Sequence, residues 1–172
     1  MRDYLGLVRY PCRLLSWLQY PPRGTGKLRG VNQDNGGSSL PDLARIQTEV
    51  ERLAPIIDAP ARELPTYGYS QDFAYPHLEV WNGALWWVVV ERGKELERRS
   101  TTDLNELLYW VFEGVTFSMA SDWELRNRVE DQDFRILLFT NQFELLAMLD
   151  PRWPDRRKKE LGPNILRETG LA

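Results

Sequence analysis

The stretch Leu104-Asn105-Glu106-Leu107-Leu108-Tyr109-Trp110-Val111-Phe112-Glu113-Gly114-Val115-Thr116-Phe117-Ser118-Met119 decides how the rest of the chain must be arranged. Leu104, Leu107, Leu108, Val111, Phe112, Val115 and Met119 repeat at the i, i+3, i+4, i+7 spacing of one helical face. The opposite side is not simply polar, because Trp110 and Phe117 stand there with Glu106 and Glu113 beside them. A helix apolar on nearly every side belongs inside a domain. The spacing therefore predicts a central helix over 103–120. Thr101-Thr102-Asp103 caps it, and Asp103 with Glu106 has capping-box spacing. Its far end is open: Ser121-Asp122 offers a break, whereas Trp123 and Leu125 would continue the helix tolerably.

Immediately before it, positions 77–100 carry the clearest β signal. Asn82-Gly83 is a strong two-residue hairpin turn and Arg92-Gly93 a reasonable second one. Folding on those turns sets Val80 opposite Leu85, Leu78 opposite Trp87 and Val89 opposite Leu96. One face is then Leu78, Val80, Leu85, Trp87, Val89 and Leu96, suited to packing on helices. The other carries His77, Glu79, Trp81, Trp86, Val88, Val90, Glu95, Glu97 and Arg99, aromatics framed by charges.

Further upstream, Ser38 or Ser39 is a plausible N-cap with Pro41 in the first turn. Leu43, Ile46, Val50 and Leu53 then form one apolar stripe, a helix of about four turns ended by Pro55. Pro55, Pro60, Pro65, Pro76 and Gly68 forbid a long regular element before the strands. The alternating Tyr67, Tyr69, Phe73 and Tyr75 suit an extended docked segment. Downstream, Glu130-Asp131-Gln132-Asp133 gives an acidic first turn to another helix. Its apolar residues Phe134, Leu137, Leu138, Leu145, Met148 and Leu149 are interrupted by Gln142, and Asp150-Pro151 stops it. A last short helix, Asp155 to Leu161, is strongly basic. Together these elements read as α+β: an N-terminal helix, a three-stranded antiparallel meander, then two to three helices packed on one sheet face around the central helix 103–120.

Residues 1–38 read as a poorly structured basic N-terminal extension, and residues 39–172 as a single domain. The extension carries Arg2, Arg9, Arg13, Arg23, Lys27 and Arg29 against Asp3 and Asp34, a balance of +4 within a chain of net charge −3. The rest of the chain therefore holds −7. An acidic body argues against nucleic acid as a direct ligand, since phosphate affinity comes mainly from Lys and Arg. No apolar run approaches a membrane span, and Arg9 and Arg13 interrupt any signal-peptide core.

The chemistry-bearing residues are few. Cys12 is the only cysteine and His77 the only histidine, so an intrachain disulfide and Cys- or His-rich metal sites are excluded. The single cysteine fits a reducing cytoplasm, and equally a disulfide-free exported protein. Gly26-Lys27 is followed by Leu28 where a phosphate loop needs Ser or Thr. Glu91 with Glu95, and Asp122 with Glu124, are available carboxylate pairs, but 25 acids make such pairs common by chance. The run Arg156–Lys159 either binds an acidic partner or neutralises the acidic body. Trp81 and Trp86 are the sharper feature. They form an interface core with an acidic rim, or lie covered by the first helix or the 56–76 segment.

The run from Leu107 to Ala120, followed by Glu124-Leu125, Asn127-Arg128, Asp133-Phe134-Arg135 and Phe139 to Gln142, resembles the immunity protein 63 family. So do Glu91-Arg92-Gly93-Lys94-Glu95 and Leu64-Pro65-Thr66-Tyr67-Gly68, and the resemblance spans roughly residues 40–166. Proteins of that family are encoded beside bacterial polymorphic toxins and are taken to neutralise the cognate toxin domain. The resemblance implies a cytoplasmic, non-enzymatic protein whose partner is a toxin domain, with no cofactor, metal, membrane, nucleic acid or small-molecule substrate. An acidic body would suit a basic, nuclease-type toxin. The expected contact residues are Glu79, Trp81, Trp86, Glu95 and Glu97. The alternatives are a small hydrolase or transferase using His77 with a nearby carboxylate, and a scaffold protein unrelated to toxins.

Overall fold

A computed structural model describes residues 40–171. The expected extension over 1–38, Cys12 and the proposed Ser38 or Ser39 cap lie outside the described residues. Four helices and four strands follow in the order α1 (Leu43–Leu53), β1 (Thr66–Tyr67), β2 (Tyr75–Trp81), β3 (Ala84–Glu91), β4 (Lys94–Thr101), α2 (Leu104–Arg126), α3 (Phe134–Leu149) and α4 (Trp153–Thr169), with 3-10 turns at Ala54–Ile57 and Ala61–Glu63.

The α+β class is as expected, and several details differ. The sheet has four strands in the order β1-β2-β3-β4, with β1 parallel to β2 and the other pairs antiparallel. The first helix starts one turn later, on Asp42, whose side chain accepts from the Arg45 N–H at 2.8 Å; Pro41 precedes the cap. The central helix does not stop at 120 but runs to Arg126.

Both hairpin turns are of the primed kind, with positive φ at Asn82 and Gly83 and at Arg92 and Gly93. They set Val80 against Leu85 and Leu78 against Trp87 as the sequence implies. The second hairpin does not follow the expected register. A bulge between Val89 and Val90 pairs Val89 with Glu97 and Val90 with Glu95, leaving Leu96 over and 42% exposed. From that point β4 presents its other side to the helices.

Leu78 and Leu85 from the sheet, Ile46 and Val50 from α1, Leu107 and Phe112 from α2, Leu146 from α3 and Trp153 from α4 form one core. Tyr109 and Phe112 flank the Trp153 ring at 5.7 and 6.2 Å. A second cluster, Ala120, Leu138, Phe139 and Phe143, packs α2 on α3 and takes in Phe117 and Leu166. The buried face of α3 is thus Leu138, Phe139, Gln142, Phe143 and Leu146, while Phe134 and Met148 point outward. Gln142 does not interrupt that face. It is fully buried, donates to the Glu113 carbonyl at 3.1 Å and accepts from Arg157 at 3.3 Å, so its amide is satisfied inside the core.

The second side of α2 is polar in its contacts as well as packed. Arg156 of α4 clamps Glu106, reaching one carboxylate oxygen at 2.7 Å, and Arg157 pairs with Glu113 at 2.9 Å. The capping box is therefore not formed. Glu106 is taken by Arg156, and the Asp103 N–H donates instead to the Thr101 hydroxyl at 3.0 Å. The last helix is longer than the expected 155–161. It consists of two helical segments meeting at Gly162, whose φ of 80° and ψ of 161° are not helical, with Pro163 next in the chain.

Residues 68–74 join two neighbouring parallel strands, a connection that normally needs roughly a dozen residues. So short a return is possible because β1 is only two residues long. It demands positive φ at Gly68, Asp72, Phe73 and Ala74 (78°, 63°, 56° and 59°). A Cβ at position 68 would also sit 3.3 Å from the Leu43 side chain. Each non-glycine residue held in this region costs on the order of 1 kcal/mol.

Candidate partner-binding surface

Cross-strand pairing places His77 beside Val88 and Arg98, and Glu79 beside Trp86 and Ser100, on the sheet face turned away from α1 and α2. Trp81 is 61% exposed at the end of β2, and its ring lies 6.2 Å from that of Trp86 at a tilt of 48°. The indole N–H of Trp86 donates to the Trp81 carbonyl at 3.0 Å, which fixes the pair across the hairpin. Trp86 is half-buried, and the Arg98 guanidinium lies 5.1 Å over its ring.

Arg98 organises the charges of this face. It donates to Glu79 at 3.0 Å and to Glu95 at 2.8 Å. Partial burial pulls the Glu79 carboxyl upward, but hydrogen bonds from Arg98 and His77 outweigh it and hold the group below the usual carboxylate range. His77 is 4% exposed, with Nε2 3.2 Å from Glu79 and Nδ1 buried without a hydrogen-bond partner. A ring so enclosed offers no nitrogen to an incoming substrate.

Four of the five expected contact residues, Glu79, Trp81, Trp86 and Glu95, belong to this face. Glu97 does not. The bulge at Leu96 turns Glu97 and Arg99 to the helix side, where Arg99 donates to Glu97 at 2.7 Å and lies 4.4 Å over Trp87 and 5.5 Å over Trp110. Arg98 occupies the place that sequence reasoning gave to those residues. The signal that could have found it is the single apolar residue of β4, which leaves the strand's facing weakly specified.

Several other candidates are engaged by neighbouring side chains. Asp122 lies 3.8 Å from Arg62, and Glu124 is held by two hydrogen bonds from Arg128 at 2.7 and 2.8 Å. Of the basic run, Arg156 and Arg157 bind the acids of α2, and the Lys158 ammonium lies 5.5 Å over Phe143. Among the described residues no cluster of His, Cys, Asp and Glu has the arrangement of a metal site, and no helix is long and apolar enough to cross a membrane.

Fold and surface define a mixed-sheet α+β protein with an aromatic and charged sheet face. Residues 82–162 match the model of the immunity protein 63 family, so from the first hairpin turn to the kink in α4 the chain carries that family's pattern. The match is shorter than the span of roughly 40–166 expected from sequence, and Leu64-Pro65-Thr66-Tyr67-Gly68 lies outside it. No curated protein and no solved structure matches the chain.

Proposed function

We propose that the chain is a cytoplasmic immunity protein that binds and neutralises a cognate polymorphic toxin domain by direct protein–protein contact, without catalysis. The observation that carries this reading is the Trp81–Trp86 pair, with Trp81 exposed, held in place by the hairpin and framed by Glu79, Arg98 and Glu95 on the sheet face turned away from α1 and α2. Large aromatics and an arginine held in fixed rotamers lose little entropy on association, and such residues dominate interface energetics. The family match over 82–162 supplies the class of partner. With −7 outside residues 1–38, a basic toxin such as a nuclease is the complementary partner. Glu97, facing the helices, is not part of the contact.

The test is protection in bacterial cells expressing the C-terminal domain encoded by the neighbouring gene. The wild-type chain and His77→Ala should both restore growth, and Trp81→Ala should protect poorly. Loss of protection in a folded His77→Ala protein would favour a hydrolase or transferase built on that histidine. A neighbouring gene that encodes no toxic domain would favour a scaffold unrelated to toxins.

A further inference from the structure

The segment between β1 and β2 carries a feature that the sheet face does not explain. Asp72, Phe73 and Ala74 are three successive non-glycine residues with positive φ, and the Tyr75 N–H closes the turn on the Asp72 carbonyl at 3.0 Å. The short parallel return accounts for the backbone but not for the residue at its tip. Asn, Asp or Gly would adopt this conformation more easily than phenylalanine. The Phe73 ring obtains nothing from the fold in exchange, since it is 90% exposed, well above Trp81. A disfavoured residue type and an unburied aromatic ring at one position form a local conflict that folding alone leaves unresolved.

The turn is also tied to the neighbouring strand and hairpin. The Asp72 carboxylate accepts from the Phe73 N–H at 2.9 Å and from the Gly93 N–H, in the β3–β4 turn, at 3.2 Å. The Ala74 N–H donates to the Val90 carbonyl at 2.8 Å. Phe73 is thereby fixed at the Tyr75 end of β2, at the opposite end of that strand from Trp81. An exposed aromatic ring on a preorganised turn has the properties of an interface anchor, which fills a pocket without first having to be ordered.

We propose that Phe73 is an apolar anchor for the toxin domain, inserting into an apolar pocket of that partner while the Trp81–Trp86 face makes the adjoining contact. This rests on the immunity reading and adds a specific demand on the partner, an apolar recess at one side of its contact surface.

The experiment is titration of the full chain with a catalytically inert form of the C-terminal domain encoded by the neighbouring gene. Phe73→Asn keeps the left-handed turn and removes the ring. Its Tm should equal or exceed that of the wild type, while Kd rises roughly 30-fold, the size of losing an aromatic anchor. Phe73→Leu should retain most of the affinity. A folded Phe73→Asn protein binding within about twofold of the wild type, in a series where Trp81→Ala weakens binding, overturns the anchor and leaves the sheet-face reading standing. Absence of wild-type binding overturns both. A concentration-dependent dimer abolished by Phe73→Asn also overturns the proposal, because the ring would then serve self-association.

Discussion

Arg98 lies 5.1 Å above the Trp86 ring while its guanidinium bridges Glu79 and Glu95, so one side chain from β4 braces both β2 and β3 on the outer face. The indole and the guanidinium are each held before any partner arrives. This separates the two tryptophans in their expected behaviour. Trp81→Ala removes a mostly exposed ring and should change stability by no more than about 0.5 kcal/mol, while weakening the proposed toxin binding about tenfold or more. Trp86→Ala also loses the platform under Arg98 and the bond to the Trp81 carbonyl, and should destabilise by about 1–2 kcal/mol. Thermal melts beside binding titrations distinguish the two patterns.

The bulge makes Glu95 and Glu97 unequal although they stand two apart in an extended strand. Glu95→Ala removes an acid from the outer face and one partner of Arg98, so it should weaken binding and flatten its salt dependence. Glu97→Ala frees Arg99 on the helix side and should leave the Kd within about twofold. Measuring both at two salt concentrations checks the register directly.

Glu113 provides a pH signature. Burial pushes its carboxyl above the usual carboxylate range despite the opposing charges of Arg157 and Arg99. A raised folded-state pKa favours the protonated form, so its contribution is present in full below the ordinary value of 4.5 and is lost as pH rises through the raised value. Glu113→Gln mimics the protonated form. It should therefore raise Tm over the wild type at pH 8 and lose that advantage as pH approaches 4.

Glu106 should act in the opposite direction. Hydrogen bonds from Arg156 hold its carboxyl below the usual range, so its stabilisation is present above 4.5 and lost as pH falls through the depressed value. Urea midpoints of the wild type should fall between pH 5 and pH 3.5, and those of Glu106→Gln should fall less.

Most of the fold is legible where pattern and packing agree. The period from Leu104 to Met119 sets the core face of the central helix, though not its end, and the turn at Asn82-Gly83 sets the first hairpin register. Reading failed where a residue's surroundings, rather than its type, decided the outcome. Lys94 to Arg99 contains one apolar residue, so nothing in the pattern opposed a bulge that exchanged the faces of Glu97, Arg98 and Arg99. Gln142 looked like an interruption because its partners, the Glu113 carbonyl and Arg157, come from other helices. Thr66–Tyr67 is too short to show alternation, and it becomes a strand only because β2 offers an edge. On the candidate surface the aromatics and the acids were visible in sequence. Arg98 was not, nor was the left-handed turn that exposes Phe73.

The most direct test of the sheet-face proposal is hydroxyl-radical footprinting of the chain, alone and mixed with the inert toxin domain. Trp81 should lose most of its reactivity on binding, while Trp123 and Met148, exposed on α2 and α3, keep theirs. Unchanged reactivity at Trp81 with protection of Trp123 or Met148 would contradict the proposal and move the binding surface to the helices.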